Sequence, residues 1–180
     1  MSSAQEVIST VLGSCIAVCM YDERTKIGGM NHFMLPNSSL TEELHLSGTL
    51  LQEDELTKKS MRYGLTAMEV LIAEMLKSGA QRRNLSAKIF GGGKVLKSST
   101  KIPNIGDQNI GFARAFLKTE GIPLLKENVG DSVGRKIFFL TKQNSIFVRR
   151  VEIESAVAEE RKYMDKLAQM KNEESNITIF

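Results

Sequence analysis

A chain of 180 residues, 42% hydrophobic and 25% charged, is the size of one domain and can bury a sizeable core. Its 24 Lys+Arg and 21 Asp+Glu are interspersed and leave a formal charge of +3, whereas a nucleic-acid partner calls for a concentrated basic patch. Two cysteines make no disulfide framework.

Residues 1–10 hold no basic run leading into an apolar core, so no signal peptide is expected. The longest apolar runs, such as 11–21, fall far short of the ~20 residues a membrane helix needs. The expectation is a cytoplasmic chain, without membrane insertion, whose thiols stay reduced.

Residues 7–21 are rich in β-branched and apolar types and are interrupted at Gly13-Ser14. They predict a short strand, a tight turn and a buried strand over 15–20. A second strand over 27–35 follows, stopped by Pro36, and the pair 15–20 and 27–35 reads as a hairpin. Residues 37–59 are polar and weakly periodic, and read as a long surface loop with room for one helical turn. The clearest helix spans 60–78. Met61, Leu65, Met68, Leu71, Ile72, Met75 and Leu76 form its apolar stripe, and Gly79 supplies its stop.

A strand over 85–90 runs into Gly91-Gly92-Gly93. Asp107 reads as the N-cap of a helix to Glu120, ended by Gly121. Strands over 122–129, 135–141 and 145–151 follow, then a charged helix over 154–171. The expected organisation is one domain over 1–180, with a core over about 7–152 and a C-terminal helix and tail over about 153–180. Strands and helices mix without a regular βαβ rhythm, which favours an α+β fold.

The sharpest local feature is Leu12-Gly13-Ser14-Cys15. A cysteine just after a Gly-Ser turn can present its sulfur at a sheet edge, with turn N–H groups aimed at whatever the sulfur attacks. On this segment alone a core role is the simpler reading, because free cysteine is among the most buried residue types. His32, one of two histidines, shifts the balance. A thiol of pKa ~8.5 is mostly protonated near neutrality, and an adjacent imidazole is the usual means of activating it. A third group must hold that imidazole, and Ser9 and Thr10 both carry suitable hydroxyls. Only one can face the site, since adjacent strand residues point to opposite faces.

Two competing readings fail on spacing. Cys15, Cys19, His32 and His45 could be written as a zinc site, but Cys19 falls in mid-strand and His45 in a polar loop, without the paired turns such sites use. Gly91-Gly92-Gly93-Lys94 invites a phosphate-loop reading, but it lacks the required spacing and Val95 stands where the hydroxyl should be. A loop where backbones approach closely is the better account of the three glycines.

The stretches 10–22 and 26–36, the latter containing Gly28-Gly29-Met30-Asn31-His32-Phe33-Met34-Leu35-Pro36, closely resemble the signature of the CheD family of chemoreceptor glutamine deamidases. The resemblance continues through 87–93, 105–109 and 134–136 and covers about 9–151. It implies an α+β fold, a mixed-sheet β-sandwich flanked by helices, shared with certain glutamine-deamidating bacterial toxins. By position it makes Cys15 the nucleophile and His32 the general base. The family's third member is typically a threonine six residues before the cysteine. That position is Ser9 here, with Thr10 one residue later.

The resemblance further implies hydrolysis of receptor glutamine side chains to glutamate with release of ammonia, in chemotaxis adaptation. The reaction would pass through a Cys15 thioester, with turn N–H groups at Gly13, Ser14 and Cys15 holding the oxyanion and no metal or cofactor needed. The implied substrates are the cytoplasmic helices of methyl-accepting receptors. A CheC-type phosphatase is a further implied partner, and a rival reading makes the chain chiefly that protein's regulatory partner with a weak or silent site. A second rival has an amine intercept the thioester, giving cross-linking.

Overall fold

The computed structural model describes residues 6–35, 53–95, 104–152, 154–158, 161–162 and 165, with the backbone alone for 53–60. Among the described residues, seven strands and two long helices are arranged as α+β. In chain order they are β1 (Val7–Leu12), β2 (Ile16–Asp22), β3 (Ile27–Phe33), α1 (Glu53–Lys77), β4 (Leu85–Gly91), α2 (Ile105–Thr119), β5 (Leu124–Val129), β6 (Gly134–Leu140) and β7 (Ser145–Val151). A 3-10 turn, Arg82–Asn84, leads into β4.

The strands form two sheets. One is antiparallel with the order β1-β6-β7; the other has the order β3-β2-β4-β5 and is mixed, because β5 runs parallel to β4. The parallel pair is joined through α2, a connection that places a helix over the sheet.

Strand β2 is the centre of the molecule and all seven of its residues are buried. Its alternation sorts them into two cores. Ile16, Val18 and Met20 pack with Met68, Leu71, Ile72 and Met75 of α1 and with Ile110, Ala113, Phe116 and Leu117 of α2. On the other face Cys15, Ala17 and Cys19 pack with Leu12 of β1 and with Ile137 and Phe139 of β6. The layers are therefore helices, four-stranded sheet and three-stranded sheet.

The expected hairpin is present, with β2 and β3 paired from Ile16↔Phe33 to Asp22↔Ile27. Asp22 organises its turn. The fully buried carboxylate accepts from the N–H groups of Arg24 at 2.8 Å and Thr25 at 3.1 Å through Oδ1, and from Gln81 at 2.7 Å through Oδ2. Burial pushes its pKa up, but the backbone donors outweigh that and hold it down at about 2.

Several expected boundaries shift. Helix α1 starts at Glu53, inside the stretch read as loop. Residues 53–59 are Glu, Asp, Leu, Thr and Lys, mostly good helix formers whose lack of an apolar stripe hid them. The rest of that stretch, 37–52, lies outside the described residues. The apolar stripe of α1 is narrower than its sequence suggests, for Met61 (50% exposed), Leu65 and Leu76 face outward. Gly79 stops the helix as expected, at φ +102°, with the N–H of Ala80 donating to Met75 O and its own to Leu76 O. The N-cap of α2 is Asn104, whose side chain accepts from Gly106 N, and Asp107 lies in the first turn. Of the expected last helix, 154–158 is helical, and Ala156 is buried against Gly134.

Candidate active site

The chain crosses from one sheet to the other at Gly13-Ser14-Cys15. Strand β1 pairs with β6 in the three-stranded sheet, whereas β2 pairs with β3 and β4 in the four-stranded one. Backbone groups at such a crossing have no ladder and need other partners. Here three successive carbonyls are each held. Gly13 O accepts from Gly93 N at 2.6 Å, Ser14 O from Asn109 Nδ2 at 2.8 Å, and Cys15 O from Gly92 N at 2.7 Å.

This is the use of the three glycines. A Cβ on Gly91, which sits at φ +107°, would lie 2.2 Å from Cys15 O, and one on Gly93 would meet Val133 O at 2.8 Å. The close-approach reading of this loop holds. Its N–H groups serve the cysteine turn, and Lys94 pairs with Asp107 at 3.1 Å.

Cys15 and His32 share a face. His32 stands opposite Ala17 in the β2–β3 ladder, and Cys15 lies two residues before Ala17, just ahead of the ladder's start. The two are thus diagonal neighbours on the side towards the other sheet, a spacing of about 7 Å between strands that a thiol and an imidazole can bridge. Cys15 is fully buried, whereas an exposed sheet edge was expected. The reason is that β2 is an inner strand and its Cys15 face is covered by the opposing sheet.

The third group comes from that opposing sheet. Thr10 Oγ1 lies 2.8 Å from His32 Nδ1. Thr10 pairs with the buried Ile137 on the inner face of β1, while Ser9 pairs with Phe138 on the outer face and is exposed. Of the two hydroxyls, the structure brings Thr10 to the imidazole and turns Ser9 away.

Burial pushes the His32 pKa down from 6.5 to about 4, so the ring is neutral near pH 7. The unfolded chain then binds the extra proton between those two values. Stability is present above about pH 6.5 and is lost as pH falls through about 4. Denaturant unfolding across that window should show a steeper acid loss for the wild type than for His32→Gln. Parallel curves for the two would refute a penalised imidazolium.

The second cysteine differs in kind. Cys19, in the middle of β2, is buried between the sheets, and burial raises its pKa to about 12 despite the opposing charge of Lys88. It remains a protonated core thiol. Among the described residues no group of three or more His, Cys, Asp or Glu side chains could hold a metal, and His45 lies outside them.

Asn109 was not singled out as a site residue. It is fully buried, and besides donating to Ser14 O it accepts from the Leu35 N–H at 2.8 Å. It therefore ties the turn before Cys15 to the chain three residues after His32. Its sequence signals were its place in the 105–109 block of the resemblance and a polar residue on the inward face of an amphipathic helix, beside Ile110 and Ala113.

A thiol, an imidazole and a hydroxyl gathered at the seam between two sheets of an α+β protein make a candidate cysteine hydrolase. The family described as CheD chemotactic sensory transduction matches residues 34–150. The chain is 40% identical over 167 residues to a probable chemoreceptor glutamine deamidase CheD of Laribacter hongkongensis, covering 91% of this chain and 75% of that one. A protein of the same description from Bordetella petrii is 46% identical over 145 residues, covering 81% and 59%. One from Herminiimonas arsenicoxydans is 40% identical over 177 residues, covering 97% and 81%. The chain belongs to the CheD family.

Proposed function

We propose that this chain is a protein-glutamine deamidase acting on the cytoplasmic helices of chemoreceptors, with Cys15 as nucleophile, His32 as general base and Thr10 as the group that holds the imidazole. The observation that carries the reading is the inter-sheet contact of Thr10 Oγ1 with His32 Nδ1. With Nδ1–H donating to the hydroxyl, Nε2 keeps the lone pair that a base requires.

The steps follow from that tautomer. His32 Nε2 takes the thiol proton as the sulfur of Cys15 bonds to the carbon of the glutamine carboxamide. The carbonyl oxygen becomes an oxyanion, held by N–H groups of the Gly13-Ser14-Cys15 turn. The carbon–nitrogen bond breaks and the imidazolium hands its proton to the leaving nitrogen, releasing ammonia. Water then gives a proton to His32 and attacks the thioester; the carbon–sulfur bond breaks, and the thiolate recovers the proton. The net change is amide plus water to acid plus ammonia. Each event adds one negative charge to a receptor helix and creates a carboxylate that can be methylated.

The reading places the chain in the cytoplasm, where those helices lie. No described helix is long and apolar enough to cross a membrane. One observation favours a second reading, in which the chain is chiefly a binding partner of a CheC-type phosphatase: Cys15 has no solvent exposure. A carboxamide reaches the sulfur only when its cover shifts.

Intact-mass analysis of a receptor cytoplasmic fragment separates the two. The deamidase reading expects amide-to-acid conversion with the wild type and none with Cys15→Ala. Equal conversion by both, or none by either, removes it. The two hydroxyls give a finer test. Thr10→Val should lower kcat about 10-fold or more, because the ring loses its anchor, while Ser9→Ala stays within about twofold. The reverse order would assign the role to Ser9.

A further inference from the structure

We infer that Asn109 is a positioning residue for this deamidation, acting through the peptide bond between Ser14 and Cys15. The inference rests on the reading above and extends it to a side chain on α2, 95 residues from the turn it holds.

The argument is one of peptide geometry. No peptide bond among the described residues is cis, so in the Ser14–Cys15 unit the carbonyl and the N–H point in opposite directions across one plane. A donor that fixes the direction of Ser14 O therefore fixes the direction of the Cys15 N–H. Asn109 Nδ2 is such a donor, at 2.8 Å. By the same logic Gly93 N, bound to Gly13 O, sets the Ser14 N–H.

A hydrogen bond to the carbonyl also polarises the amide and strengthens its N–H as a donor. Asn109 is thus placed to aim and to sharpen the N–H of the nucleophile's own residue.

The rest of the residue's setting keeps it rigid. Its Oδ1 accepts from Leu35 N, and the whole side chain is buried, so neither end of the amide can turn without breaking a bond. Helix α2 comes close enough because its first turn lies on the glycine loop. A Cβ on Gly106 would fall 2.4 Å from Gly92 O, and Asn109 stands one helical turn further along the same face. A core amide with a purely architectural role would need only to satisfy its own polar atoms. This one joins the two segments that carry the thiol and the imidazole.

The test uses the full chain with a chemoreceptor cytoplasmic fragment, comparing wild type, Cys15→Ala, Asn109→Ala and Asn109→Asp. Asn109→Asp is nearly isosteric and keeps the acceptor for Leu35 N, but sets an oxygen against Ser14 O. Should Asn109→Ala fail to fold, it carries the same prediction. The expected result is a kcat lower by on the order of 10- to 100-fold, with KM within about twofold. The pH midpoint for alkylation of Cys15 by iodoacetamide should stay at the wild-type value, because thiol ionisation depends on His32.

An unchanged kcat in a folded variant overturns the inference. So does a loss confined to KM, or an alkylation midpoint that moves with kcat. A wild type that leaves the fragment unconverted overturns the deamidase reading itself, and is seen before any variant is compared.

Discussion

Cys15→Ala should reduce conversion of a receptor glutamine to the uncatalysed rate, a loss on the order of 100,000-fold, and His32→Ala should cost nearly as much. In the proposed mechanism the two act as a unit, because the sulfur is a weak nucleophile until its proton has somewhere to go. Their effects should therefore not add. The double variant is expected to be no slower than Cys15→Ala alone, as for other nucleophile–base pairs. Single-turnover measurements on a receptor fragment, followed by intact mass, would read this directly. Additive losses would mean that His32 acts on the substrate independently of the sulfur. Cys19→Ala is the matching control. Cys19 is a protonated core thiol, so its loss should affect stability and leave kcat near the wild-type value.

Gly91→Ala should be the most damaging glycine-to-alanine change among the described residues. Gly91 adopts φ +107°, a conformation that strains any L side chain, and the added carbon would lie 2.2 Å from Cys15 O and 3.3 Å from Leu12 Cβ. The first contact is with backbone, which cannot swing aside as a flexible side chain can. Strain and overpacking together should cost about 2–4 kcal/mol in denaturant unfolding.

The displaced atom belongs to Cys15, the nucleophile of the proposed mechanism, so the surviving folded protein should also lose most of its kcat. Gly111→Ala in α2 is the control. Nothing lies within 4 Å of its added carbon, and higher helix propensity should make it neutral or stabilising by up to about 1 kcal/mol. Equal stability for the two variants would mean that the glycine loop does not press on the cysteine turn as described.

Much of the architecture could be read from local pattern. The hairpin of β2 and β3 follows from two apolar runs around a polar connection, and the stops at Gly79 and Gly121 follow from glycine's access to positive φ. The start of α1 was missed because residues 53–59 lack an apolar face, and helical propensity without periodicity is a weak signal. The family resemblance implied a sandwich, but which strands belong to which sheet was not legible in local pattern. Strand β1 finds its partner in β6, more than 120 residues away (Leu12↔Arg135 to Val7↔Leu140), and nothing local to either strand specifies that pairing.

The same division runs through the candidate site. Chain order alone gave the hairpin that brings Cys15 towards His32, whereas their shared face follows from the observed register, since side chains repeat every two residues. Only the tertiary structure put Thr10, and not Ser9, against the imidazole of His32. The two hydroxyls belong to a strand of the other sheet, where a shift of one residue exchanges inside for outside. It alone brought Asn109 and the glycine loop to the cysteine turn. Carbonyls at a sheet-to-sheet crossing have no ladder of their own, so they take donors from wherever folding delivers them.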